Sequence, residues 1–168
     1  MDNIAEQLVA KKRTTADNLK TAGIIIGALV IASLLMFVGM VTNMFFLAVP
    51  AGLVLMGGIW LMGNVNVEYE YIVTNNELDI DKIIGKNKRK RMITLDISSA
   101  VLFEPIAGCT EEIDADVTVH ATTGLEKDAY YLVIDSKDYG KVNLIFNPNE
   151  KMRGAIAQEL PHKLRVKL

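Results

Sequence analysis

Residues 21–67 read TAGIIIGALVIASLLMFVGMVTNMFFLAVPAGLVLMGGIWLMGNVNV, without one Asp, Glu, Lys, Arg or His. A bilayer crossing takes about 20 apolar residues, so the run is too long for one helix and suits two. Between Thr21 and Asn64 the only adjacent polar pair is Thr42-Asn43, which marks the seam. The spans are expected at Ala22 to Val41 and Met44 to Met62. Each holds roughly ten Leu, Ile, Val or Phe residues, which favour insertion by about 0.3 to 0.6 kcal/mol apiece. Gly23/Gly27 and Ala28/Ala32 are small-xxx-small pairs. They let backbones approach closely, either within the hairpin or between chains of a homo-oligomer. Pro50 is expected to kink the second span near its outer end. No ionisable residue lies within the spans, which disfavours a transporter or pump.

The turn between the spans is short, so both ends of the hairpin emerge on one side. Lys11, Lys12, Arg13 and Lys20 precede the first span, and basic residues near span ends mark the cytoplasmic face. The apolar run exceeds a signal-peptide core, so Ala48-Val49-Pro50-Ala51 is not read as a cleavage site. The expected location is a bacterial plasma membrane, multi-pass, with N-terminus and C-terminal domain cytoplasmic. Three regions follow: 1–20, the hairpin 21–63, and a domain over 64–168. In the first, Ile4, Leu8 and Val9 at helical spacing, followed by Lys11, Lys12 and Arg13, read as a short amphipathic helix on the membrane surface. A solvated terminus carrying topogenic charge is the alternative.

The region 64–168 is large enough for its own core. The net charge of −2 argues against a general nucleic-acid binder. Cys109 is the only cysteine and fits a reducing compartment. His120 and His162 lie far apart, without Cys or His at ligand spacing, so no metal and no cofactor are expected. From Val65 the apolar period becomes two. A tight turn at Asn75-Asn76 sets Val73 against Leu78 and Tyr71 against Ile80, and keeps every pair apolar. A second turn over Gly85-Lys86-Asn87-Lys88 sets Ile80 against Ile93 and Leu78 against Leu95. On the opposite face Glu70 falls across from Asp81, a like-charge pair that a neighbouring Lys or Arg could relieve. Further strands are expected at Ser99 to Phe103, Asp116 to Ala121, Ala129 to Asp135 and Lys141 to Phe146. A helix then starts with Asn147 as N-cap, Pro148 in the first turn and Glu150 at capping-box spacing. Its stripe is Met152, Ala155, Ile156 and Leu160, and Pro161 ends it.

About seven antiparallel strands closed by a C-terminal helix is the order of a pleckstrin-homology-like (PH-like) barrel. The segment EYEYIVTNNELDIDKIIGKNKRKRMITLDISS (68–99) resembles the opening strands of bacterial PH-like domains. NPNEKMRGAIAQELP (147–161) is similar to the helix that plugs such barrels. Over nearly its whole length the chain resembles a family of small bacterial two-span membrane proteins with a cytoplasmic PH-like domain. The resemblance implies binding of a protein, a peptide or a phosphoinositide, and no catalytic activity. Phosphoinositide binding usually relies on basic residues around the first strand loop. Here that loop is Asn75-Asn76 flanked by Glu77, a departure from the pattern.

The remaining candidate chemistry is a basic cluster, Lys86, Lys88, Arg89, Lys90 and Arg91. The second strand must return toward the membrane that the first one leaves, and Lys86 falls opposite Val65. The cluster is therefore expected at the headgroups, where each Lys or Arg gains about 1 kcal/mol from anionic lipid. Lys86, Lys88, Arg89 and Lys90 are the expected lipid contacts. The acidic run Glu111, Glu112, Asp114, Asp116 lacks the glycine and terminal Glu of an EF-hand and reads as a solvated loop. Asp79 and Asp81 should point outward. Ser98 and Ser99 have no nucleophile-elbow glycines, and Cys109 has no activating base nearby. The expectation is a non-catalytic, membrane-anchored interaction module whose PH-like domain binds an unidentified protein or peptide, with basic contact to anionic lipid. A lipid-sensing regulator and an accessory subunit of a larger membrane complex are the alternatives.

Overall fold

The computed structural model describes residues 3–108, 113–124 and 128–165. They form two compact units: Arg13–Val67 with Ile84–Asn87, and Met1–Lys12 with Glu68–Ile83 and Lys88–Leu168.

The first unit is a helical hairpin. Helix α1 runs Thr15–Thr42, opened by a capping box in which the Thr14 hydroxyl accepts from the Asp17 N–H and the Asp17 carboxylate accepts in return. Asn43 ends it at φ 55, so the Thr42-Asn43 seam lies where expected. A 3₁₀ turn, Phe45–Leu47, leads into α2, Ala48–Gly63. Pro50 sits in the first turn of α2, where its missing N–H has no helical partner to lose. Thr15–Thr42 and, with the 3₁₀ turn included, Phe45–Gly63 are long and apolar enough to cross a membrane, and only 11% of each apolar window is buried. That leaves an apolar exterior suited to lipid and supports membrane association. The seam is built from Ala28, Ala32, Gly39, Ala51 and Gly58; a Cβ on Gly58 would stand 3.0 Å from that of Ala28. Gly23 and Gly27 face open space.

The second unit contains eight strands among the described residues, in two four-stranded sheets. The first sheet is ordered β1 (Ile4–Ala10), β2 (Val67–Thr74), β3 (Glu77–Ile84), β4 (Lys88–Asp96). The second is β5 (Ala100–Pro105), β7 (Tyr130–Ser136), β8 (Gly140–Phe146), β6 (Val117–Ala121). Seven antiparallel strands were expected; the eighth is β1, and β6 runs parallel to β8. Tyr71, Val73, Leu78, Ile80, Ile93, Leu95, Leu132, Leu144 and Phe146 form the core, in agreement with the expected hairpin faces.

The N-terminal region is the main departure. Residues 4–10 are not an amphipathic helix but an edge strand, antiparallel to β2, with Ala5 opposite Val73 and Val9 opposite Tyr69. Ala5 and Val9 face the core, Ile4 and Leu8 face out, and ladder bonds to β2 favour the period-two reading. The PH-like domain is therefore not 64–168 alone; it takes a strand from before the spans. Helix α3 runs Glu150–Glu159, and its N-cap is Asn149, whose side chain accepts from the Met152 N–H at 2.8 Å. Asn147, the expected cap, is buried instead and accepts from the Thr123 N–H at 2.8 Å. The stripe Met152, Ala155, Ile156, Leu160 is buried as expected. A short helix α4, His162–Arg165, follows.

Candidate functional site

The candidate site begins at the exit of the second helix. The Asn66 carbonyl accepts from the Gly85 N–H at 2.9 Å, and its side-chain oxygen accepts from Arg13 Nε and Nη2 at 3.1 and 2.7 Å. One asparagine thus ties the start of α1 and the β3–β4 turn to the end of α2. Gly85 has φ 61, and a Cβ there would stand 3.0 Å from the Gly63 carbonyl oxygen. Both conformation and space require glycine. Lys86 follows at φ 63, a left-handed conformation that costs a side-chain-bearing residue about 1–2 kcal/mol. The turn centres on Gly85-Lys86, with the Asn87 N–H donating to the Ile84 carbonyl, one residue earlier than expected. It nonetheless lies beside the span exit, as the strand polarity requires.

The basic cluster divides by residue type. All five members are exposed. Arg89 Nη2 lies 2.9 and 2.7 Å from the two Glu70 oxygens. Arg91 reaches Asp81 at 2.5 Å and Asp79 at 2.8 Å, and the Thr94 hydroxyl also donates to Asp79. The relief sought for the Glu70/Asp81 pair comes from these two arginines. Asp79 and Asp81 lie on the outer face, but Asp81 is only 3% exposed. Arg89 and Arg91 share parity with the core residues Ile93 and Leu95, yet both bond carboxylates of the outer face, so strict alternation fails in the first half of β4. Lys86 and Lys90 make no ion pair with any described residue.

Glu70 is 4% exposed beside one guanidinium. Burial pushes its carboxyl above the ordinary carboxylate range; Arg89 pulls it down, while hydrogen-bonded Glu6 and then Asp81 push it further up. Hydrogen bonding to Asp81 is the main cause that raises the Arg91 guanidinium.

The other expected sites do not converge on a reaction. Among the described residues no three His, Cys, Asp or Glu are placed to hold a metal ion. Cys109, Glu111 and Glu112 lie outside the described residues. Asp116 accepts from the Lys141 N–H at 2.8 Å and braces the start of β8. His120 is exposed on β6 opposite Ile145, at a cleft of about 320 Å³ with Thr122 and Tyr131. Ser98 donates to Asp96 through both its N–H and its hydroxyl. Sequence reasoning missed the Arg13–Asn66–Gly85 tie. Its signal was a lone asparagine between Val65 and Val67 in a strand pattern, with an arginine before the other helix.

A two-helix apolar hairpin inserted between the first and second strands of a two-sheet, helix-capped unit defines a membrane-associated PH-like protein. The chain belongs to the family described as Bacterial PH-like domain (DUF6106), whose profile matches residues 1–166, the strand before the hairpin included. No curated protein and no solved structure matches the chain.

Proposed function

We propose that the chain is a non-catalytic, membrane-anchored interaction module. Its PH-like unit binds a protein or peptide at the cytoplasmic face, and Lys86, Lys88 and Lys90 rest on anionic lipid. The observation that carries this reading is the tie of the basic turn to the span exit through Asn66. The left-handed Lys86 supports it, because strain kept at one turn is a pointer to function. Arg89 drops out of the expected lipid set, since its guanidinium is committed to Glu70. Strand β1 precedes the two helices and β2 follows them, and their pairing supports an even number of crossings with both ends on one side. Lys11, Lys12 and Arg13 favour the cytoplasm for that side.

The test uses the full chain in nanodiscs, with a polarity-sensitive dye on Asn87→Cys in a Cys109→Ser background. Anionic lipid should shift the dye emission relative to neutral lipid. The shift should shrink with salt, because exposed charges are screened over roughly 8 Å at physiological ionic strength. Joint replacement of Lys86, Lys88 and Lys90 by Gln should remove it; replacement of Lys137 and Lys141 should not. Equal emission in neutral and anionic discs at low salt defeats the lipid contact. Affinity purification in mild detergent tests the rest: a stoichiometric protein supports the module, and selective retention of one lipid class favours a lipid sensor instead.

A further inference from the structure

Strand β1 is held like a bound peptide. It lies at the edge of the first sheet, bonded to β2 on one side, and α3 packs against it. Its inward row is Ala5, Gln7 and Val9, small beside the Tyr69, Tyr71 and Val73 of β2. Its specific anchors are side-chain amides. Gln7 Nε2 donates to the Asn147 carbonyl at 2.9 Å, and Gln7 Oε1 accepts from the Asn149 N–H at 2.8 Å, so one amide grips the backbone on both sides of Pro148. Asn3 Nδ2 donates to the Ala155 carbonyl at 2.8 Å and to Glu159 at 2.9 Å. Every other described strand of this unit comes from the continuous stretch after the spans, and those strands carry most of the large core side chains.

From this arrangement we infer that the groove between the β2 edge and α3 is a strand-acceptor site, filled in cis by residues 4–10 and open to exchange. The competing ligand is an extended segment of a partner protein, added to the sheet edge by backbone bonds. Its inward side chains are small, amide and branched at alternate positions, because the groove offers Gln7 a carbonyl and an N–H and gives its neighbours little room. The weak apolar row makes β1 the strand of its sheet least costly to release. This rests on the reading of the chain as an interaction module and names the surface that would serve it.

Two measurements on the full chain in nanodiscs test the exchange. In hydrogen exchange, amides of residues 4–10 should open at least about tenfold faster than those of Leu78 to Asp81; equal rates overturn the inference. In the second, a labelled peptide of residues 3–12 is titrated onto a chain whose residues 3–10 are replaced by Gly and Ser. Binding should saturate, weaken for the Gln7→Ala peptide, and be about tenfold or more weaker on the natural chain, where the cis strand competes. No saturable binding to a replaced chain that still melts cooperatively overturns the inference. Where that chain does not melt cooperatively, Ile4→Cys with Thr74→Cys, in a Cys109→Ser background, joins a cross-strand pair. The reduced form should bind the peptide and the oxidised form should not; equal behaviour, bound or unbound, overturns it. The module reading is judged by the co-purified partner and the exchange by the chain's own peptide, so the two failures are separable.

Discussion

The hairpin and the PH-like unit solve the same packing problem in opposite ways. In the hairpin the helices meet closely where side chains are small, at Gly58 against Ala28, while Leu, Phe and Met residues face outward. In the PH-like unit the largest side chains turn inward, with Tyr71 edge-on to Phe146 at 5.4 Å between ring centroids. The difference matches the solvent that each unit's surface suits, apolar for the hairpin and water for the PH-like unit. Lipid tails are as apolar as leucine, so helices in a membrane gain from close backbone contact and not from hiding apolar area. In water the gain is the area removed, about 25 cal/mol per Å². A substitution should therefore act by volume in one unit and by polarity in the other.

The strongest break of that contrast is Ile156→Asp. Ile156 is fully buried in α3. A carboxylate there is placed in the apolar core and costs several kcal/mol, comparable to the stability of a whole domain. The full chain in detergent should lose the cooperative melting of its PH-like unit while its hairpin helices persist by circular dichroism. Gln158→Asp, at an exposed position of the same helix, should stay within about 0.5 kcal/mol of the natural chain. An unchanged melting temperature for Ile156→Asp would mean that α3 does not cover a core.

The second test reverses the chemistry. Gly58→Leu adds only apolar atoms, yet they must enter the seam and should cost about 1–3 kcal/mol of helix pairing. Spin labels on Leu29 and Ile59, which line one groove, should move apart. Gly52→Leu meets nothing within 4 Å and should leave the distance unchanged. Neither change should move the melting of the PH-like unit. Equal label distances in both variants would show that the seam is not set by missing side chains.

The two units also differed in how far they could be read from sequence. Composition alone placed the two apolar helices, and Thr42-Asn43 marked the turn that Asn43 makes. Local periodicity placed the core faces of β2 and β3 and the α3 stripe. What escaped was every feature set by a partner distant in the chain. Ile4, Leu8 and Val9 fit a helical period and do not all share one strand face, while the inward row Ala5, Gln7, Val9 carries no large apolar side chain to announce a strand; the deciding neighbour, β2, lies beyond the whole hairpin. The segment Asn147-Pro148-Asn149 offers two caps, and only the burial of Asn147 against Thr123 and Tyr71 selects the second. In the candidate site the position of the basic turn was legible from strand polarity. The division of labour within it was not, because it depends on which guanidinium reaches Glu70 and which reaches Asp81.

Charge gives the finest distinction, since the apolar run 21–67 excludes it and the PH-like unit admits it under cover. Glu70 is the case to probe. Unfolded, its carboxyl titrates near the ordinary value of 4.5, and in the fold burial raises it. Between those two values the folded chain holds a proton that the unfolded chain has lost. The contribution of Glu70 to stability is thus fully present below about pH 4.5 and is lost as pH rises through the folded value. At pH 7 the ionised carboxylate is a cost that Arg89, itself 57% exposed, only partly offsets. Glu70→Gln keeps the shape, removes the charge and leaves Arg89 to solvent. It should raise stability at pH 7 by a few tenths to about 1 kcal/mol, and the gain should vanish below pH 4.5. Arg89→Gln should act in the opposite direction at pH 7, because it removes the offset and leaves the buried charge. Melting curves of both variants across pH 4 to 8 decide the matter. A fall in melting temperature for Glu70→Gln at pH 7 would show the ion pair outweighing burial, and the PH-like unit would then be held partly by charge.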